Sequence, residues 1–250
     1  PPPPTPPSTP SSAASDVYKR QGYYGYYSET QLTDTDQEFD SQRLLTSIWV
    51  QLSQLIEFEV QHFFEGNEDE LEQETLGLAL SLAPGAWQLR IHLEEGDTRF
   101  FTRNVDSDFF DIYVPQSFTT DVSSIGVSLG WQGQPWYWQA GYQRYDYEDD
   151  LSVLSRSVFA RFIVKSSTLA HSSLLISKST SLLAGYADFD NDYSIQIAQN
   201  QSAIDANYDD TLILSWQHWA SQRFGYLLTA ATILPPDDSI GLTLGLRWML

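Results

Sequence analysis

The sequence predicts an all-β fold, an antiparallel transmembrane β-barrel of about 14–16 strands. Three observations carry this expectation. Apolar and polar residues alternate with a period of two over most of the chain from residue 74. The polar faces are built from small uncharged residues and carry almost no Lys. Short turns alternate with longer acidic connections.

The period is read strand by strand. Leu76, Leu78, Leu80 and Leu82 share one face, and Thr75, Gly77, Ala79 and Ser81 the other. Pro84 and Gly85 then make a turn. Trp87, Leu89, Ile91 and Leu93 alternate with Gln88, Arg90, His92 and Glu94. Ile125, Val127, Leu129 and Trp131 alternate with Ser124, Gly126, Ser128 and Gly130, and after a turn at 132–135 Trp136, Trp138, Ala140 and Tyr142 alternate with Tyr137, Gln139, Gly141 and Gln143. Leu212, Leu214 and Trp216 oppose Ile213, Ser215 and Gln217. The last segment places Ile240, Leu242, Leu244, Leu246, Trp248 and Leu250 on one face, against Gly241, Thr243, Gly245, Arg247 and Met249. Side chains of a strand point alternately to its two faces, so each segment reads as a strand with one apolar face. Residues 151–164 and 167–177 have mixed faces and fit this pattern least. No apolar run reaches the ~18 residues of a membrane helix.

The polar faces separate a membrane barrel from a soluble sandwich. A sandwich turns its polar faces to water. Here those faces are Ser, Thr, Gly, Gln and Tyr, with occasional Arg or Glu, which suits a confined wet interior. Trp87, Trp131, Trp136, Trp216, Trp219 and Trp248 lie near strand ends, where a membrane barrel carries its interfacial aromatics.

The chain ends in TLGLRWML. Thr243, Gly245, Trp248 and Leu250 resemble the C-terminal β-signal of Gram-negative outer-membrane β-barrel proteins, with Leu where the final residue is more commonly Phe. The resemblance implies an outer-membrane location. It also implies recognition by the barrel-assembly machinery, contact with outer-membrane lipid and lipopolysaccharide, and closure of the barrel by the last strand. Closure would satisfy every backbone donor and acceptor in lipid. With both termini periplasmic, counting back from Leu250 puts 235–238, 201–210, 178–180, 148–150, 115–121, 65–73 and 31–41 outside. The turns at 220–222, 189–192, 165–167, 132–135, 84–85 and 53–54 fall on the periplasmic side. Segments 98–104 and 109–114 add two strands or form one external excursion, and no long segment remains for a constriction loop.

Residues 1–21 are Pro/Ser-rich and expected to be disordered. They read as non-native sequencing debris, with a native Pro-rich linker as the alternative. On the first reading the native N-terminus, including a secretion signal and early strands, lies outside this sequence. Residues 22–250 are expected to form one barrel domain.

The chemistry is sparse. A net charge of −20 argues against nucleic-acid binding, and the absence of Cys removes thiolate sites and disulfides. His62, His92, His171 and His218 show no metal-ligand spacing, so neither a metal nor a cofactor is expected. His171 beside Ser172 and Ser173 invites a rim-site hydrolase reading, but no third orienting group accompanies them. Asp34-Thr35-Asp36 and Asp190-Asn191-Asp192 could bind divalent cations weakly without being EF-hand loops. The expected lumen-lining residues are Glu57, Glu59, Arg90, His92, Glu94 and Arg247. Two arrangements are open for them, a transverse field that filters solutes by charge or a salt-bridge network that fills the interior. The function expected is a passive or weakly selective pore for small solutes. The alternatives are a surface-interaction barrel without transport, a rim hydrolase, and a soluble secreted β-protein.

Overall fold

A computed structural model describes residues 21–34, 37–67, 71–101, 117–156, 175–221, 224–234 and 240–249. Among the described residues, twelve antiparallel strands close into one barrel in sequence order. They are β1 (Gln21–Asp34), β2 (Gln37–Gln51), β3 (Ile56–Asn67), β4 (Leu71–Leu82), β5 (Trp87–Phe101), β6 (Ser117–Gly133), β7 (Trp136–Tyr147), β8 (Ile176–Ala187), β9 (Asn191–Ser202), β10 (Tyr208–Trp219), β11 (Phe224–Leu234) and β12 (Ile240–Met249). β12 returns to β1 with Arg247 opposite Tyr26 and Thr243 opposite Thr30. No strand edge is left in the ring, which removes the unpaired backbone groups an edge would present to lipid.

Burial runs opposite to that of a soluble protein. On β4 the outward leucines Leu76 and Leu82 are 58% and 37% exposed, whereas the inward Thr75 and Ser81 are 4% and 3% exposed. The same inversion holds on β6, where Ile125 and Val127 are exposed while Ser124 is buried. At the end carrying the termini, the outward face is ringed with aromatics. Trp87 packs edge-on against Trp138 with ring centroids 5.7 Å apart, and Trp136 against Tyr186 at 5.1 Å. Phe224 and Tyr226 add a third such pair at 5.3 Å. Towards the other end the outward side chains become charged, as with His62 paired to Glu74 and Arg144 to Asp146.

The ring has fewer strands than the 14–16 expected. β5 pairs directly with β6 up to Phe101 opposite Ser117, and β7 directly with β8, Trp136 opposite Tyr186 and Arg144 opposite Lys178, so the ring takes no further strand at either place. Residues 102–116 and the turn expected at 165–167 fall outside the described residues, and 178–180 lies within β8 rather than in a loop. The mixed faces of 151–164 and 167–177 are the physical reason, because a strand with no consistent apolar face cannot line lipid.

The short turns at 52–55, 83–86, 134–135 and 188–190 lie at the end carrying the termini. The strand ends that flank 102–116 and 148–175 lie at the opposite end. There β7 is followed by a short 3-10 helix over Leu151–Arg156, whose Leu151 and Leu154 are buried. Val122, Tyr145 and Ile176 form a small apolar cluster near this mouth, with Tyr147 against it. The segment 1–20, His171 and Leu250 fall outside the described residues.

Candidate functional site: the barrel lumen

Inward side chains follow from strand parity and register. Glu57, Glu59 and Gln61 on β3 lie opposite Ser81, Ala79 and Gly77 of β4, which lie in turn opposite Arg90, His92 and Glu94 of β5. The small residues of β4 leave the space into which its neighbours reach. Arg90 crosses it to Glu59, guanidinium to carboxylate at 2.7 Å. The second oxygen of Glu59 accepts from the Gln61 amide at 2.8 Å. Among the described residues Glu57 lies beside this pair with no salt bridge of its own.

His92 lies opposite Gly126 of β6, and a Cβ there would fall 2.0 Å from the imidazole Cε1. The ring therefore occupies the place of the missing side chain, against the wall. Glu94 continues the polar chain by accepting from the Ser124 hydroxyl at 2.9 Å and the Gln143 amide at 3.2 Å. Gln143 also donates to the Ser124 hydroxyl at 3.1 Å.

Arg247 stands apart from this group. It donates to Gln217 of β10 and acts electrostatically on Tyr137 and Asp192. Tyr137 donates to Asp192 at 2.5 Å. Its ring covers Gly185, where a Cβ would lie 2.2 Å from the ring carbon Cζ. The expected lumen residues thus fall into two groups. Glu57, Glu59, Arg90, His92 and Glu94 share the β3–β5 wall, and Arg247 belongs to a cluster on β7–β12.

The sequence reading passed over several inward groups. Arg43 of β2 pairs with Glu65 of β3 at 2.8 Å, and Thr98 donates to Gln73 at 3.3 Å. Tyr137, Gln143 and Gln217 were placed on polar faces but not among the lumen candidates, and Asp192 was read only as part of an acidic turn. The signal for each was its odd or even place in a strand, which extends the lumen set beyond the charged residues.

Of the two open arrangements, the geometry gives wall-bound pairs. Arg43 and Arg90 each meet a carboxylate on the same stretch of wall rather than across the lumen. Between the β5–β9 wall segments lies a cavity of about 330 Å³, lined mainly by Ser and Gln side chains. Among the described residues no group of His, Asp or Glu is arranged to hold a metal ion. His62 and His218 face outward with Glu74 and Trp216 respectively. Asp192 of the Asp190-Asn191-Asp192 stretch turns inward to Tyr137. Asp190 stays in the 188–190 turn, where its N–H donates to Asp188.

A closed antiparallel barrel with an apolar exterior and a polar interior is the porin-like fold of outer-membrane β-barrels. The solved structures of that class agree at the level of fold. A KdgM porin matches with a TM-score of 0.54 at 6% identity, over 90% of this chain and 98% of that one. A Pseudomonas aeruginosa FadL homologue matches with a TM-score of 0.51 at 8% identity, over 92% and 89%. No protein-family model matches the sequence, and no curated protein matches it.

Proposed function

We propose that the chain is an outer-membrane pore that passes small hydrophilic solutes by diffusion, with a weak preference for cations. The observation that carries this reading is the polar cavity inside a closed wall. Small inward residues, Ser128, Gly141 and Ser181, line it.

The cation preference rests on which charges remain after pairing. Glu59 and Glu65 are met by Arg90 and Arg43. Glu94 is instead met by a hydroxyl and an amide, and Asp192 by the Tyr137 hydroxyl with Arg247 nearby. Among the described residues Glu57 has no salt bridge of its own, so five lumen carboxylates face three guanidinium groups. A lumen with surplus carboxylate concentrates cations and repels anions. Orientation follows from the same reading: the termini and short turns face the periplasm, and the long excursions face outward. Contact with lipopolysaccharide and weak divalent-ion binding at the acidic excursions belong to that orientation.

Liposome swelling tests the pore. Vesicles holding the refolded full chain should swell in isotonic solutions of small neutral solutes, and more slowly as solute size rises. Swelling no faster than protein-free vesicles, with the barrel shown to be inserted by its heat-modifiable migration, would contradict it. That result would favour a surface-interaction barrel.

A further inference from the structure

We infer that the mid-lumen cavity is a weak binding subsite for neutral polyhydroxylated solutes, of mono- or disaccharide size. The inference rests on the pore reading and adds to it the kind of solute that pauses inside. The argument comes from the lining. Gln139, Gln143 and Gln196 face the cavity together with Ser128, Ser179 and Ser181. Amides and hydroxyls both donate and accept, as sugar hydroxyls do. No carboxylate lines the cavity, so nothing there selects a cation. Arg90, the one guanidinium in the lining, is engaged by Glu59 at 2.7 Å, which weakens any pull on an anion.

The amides are also held in place. Gln143 directs its nitrogen to Glu94 and Ser124, which turns its carbonyl oxygen away from them as an acceptor. Leu183 supplies an apolar patch for the C–H face of a ring. A volume of about 330 Å³ is at the small end of ligand-binding clefts. The lining holds no Trp or Phe platform; its aromatic members are the His92 imidazole, held against Gly126, and Tyr142, whose side chain is on the outward face of β7 with Trp136 and Trp138. Binding is therefore weak, as suits a solute that must leave.

The test is single-channel recording of the refolded full chain with solutes added to both sides. Glucose or maltose should reduce the current saturably, with half-effect in the millimolar range. Polyethylene glycol of similar hydrodynamic size should reduce it only in proportion to concentration. The double substitution Gln139→Ala/Gln196→Ala should leave the channel open and weaken the saturable block about tenfold, as expected for two lost amide hydrogen bonds.

An open channel in which sugars act no differently from polyethylene glycol overturns the subsite and leaves the pore standing. So does a double variant that blocks as the parent does, or a uronate that blocks more strongly than glucose. If the double variant does not refold, the comparison of sugar with polyethylene glycol on the parent chain decides alone. Inserted barrels without any conductance would overturn the pore reading and the subsite with it.

Discussion

The Arg90 guanidinium on β5 reaches across β4 to the Glu59 carboxylate on β3, 2.7 Å away, because β4 offers only Ala79 and Ser81 between them. A cation that would otherwise face the lumen is thereby committed to the wall. Arg90→Ala should release Glu59 as a free carboxylate. One such charge about 7 Å from a permeating ion is worth ~0.6 kcal/mol in water, or roughly threefold in local cation concentration. The reversal potential in a salt gradient should therefore move towards the cation limit. An unchanged reversal potential would show that the Arg90–Glu59 pair lies away from the path of permeating ions.

Gly126 gives a steric test. A methyl group there must displace the His92 ring, which lies 2.0 Å from the position a Cβ would take. The ring has only the lumen to move into. Gly126→Ala should lower conductance, at an overpacking cost of about 1–3 kcal/mol. Adding His92→Ala should restore the conductance, since it removes the displaced group. A double variant no more conductive than Gly126→Ala alone would place the constriction elsewhere.

The outward leucines test which face meets lipid. Leu78→Arg, on the apolar side of β4, should destabilise the folded barrel by about 2–4 kcal/mol in a bilayer. Ala79→Ser, one residue on and facing inward, should change it by less than ~0.5 kcal/mol. Urea titration of the inserted protein would measure both. Equal effects would contradict the assignment of faces.

Asp188 makes the 188–190 turn sensitive to acid. Its carboxylate accepts the backbone N–H of Asn191 at 2.9 Å and of Asp190 at 3.1 Å. These bonds, that from Asn191 first, hold its pKa below the ordinary carboxylate value. A depressed native pKa stabilises the fold fully above the unfolded value, and the stabilisation is lost as pH falls through the native one. Thermal stability of the parent should thus decline below about pH 4. Asp188→Ala should show a smaller decline over the same range. Parallel curves would show that other carboxylates govern the acid response.

The last strand separates folding from cellular assembly. Trp248→Ala should reduce outer-membrane insertion in cells if the TLGLRWML segment is read by the assembly machinery. Detergent refolding should change little, because Trp248 lies on the outward face opposite Phe224 and Gly25. Equal loss in both assays would make Trp248 a stability residue instead.

Much of the wall was legible in the sequence because one physical demand repeats along it. Leu76 to Leu82, Trp87 to Leu93 and Leu242 to Trp248 alternate strictly, since each second residue must face lipid. The strand count was not legible where that demand lapses. Between β5 and β6 and between β7 and β8 the apolar residues keep no sustained face, and the count of 14–16 allowed strands there that the directly paired ring does not include. Leu151 and Leu154 show the reason for the second stretch, since they are apolar because they are buried in a turn beyond the wall. The lumen was partly legible. The inward direction of Arg90 follows from parity, but its partner does not, because Glu59 lies two strands away and 31 positions back. The pairing of Tyr137 with Asp192 was missed because it depends on β7, β8 and β9 lying side by side.

The most direct test of the account is the planar-bilayer conductance of the refolded full chain under a potassium chloride gradient. The account predicts discrete, voltage-stable steps with a reversal potential on the potassium side of zero. Inserted, heat-modifiable protein that gives no steps, or steps that reverse on the chloride side, would contradict a water-filled lumen with surplus carboxylate.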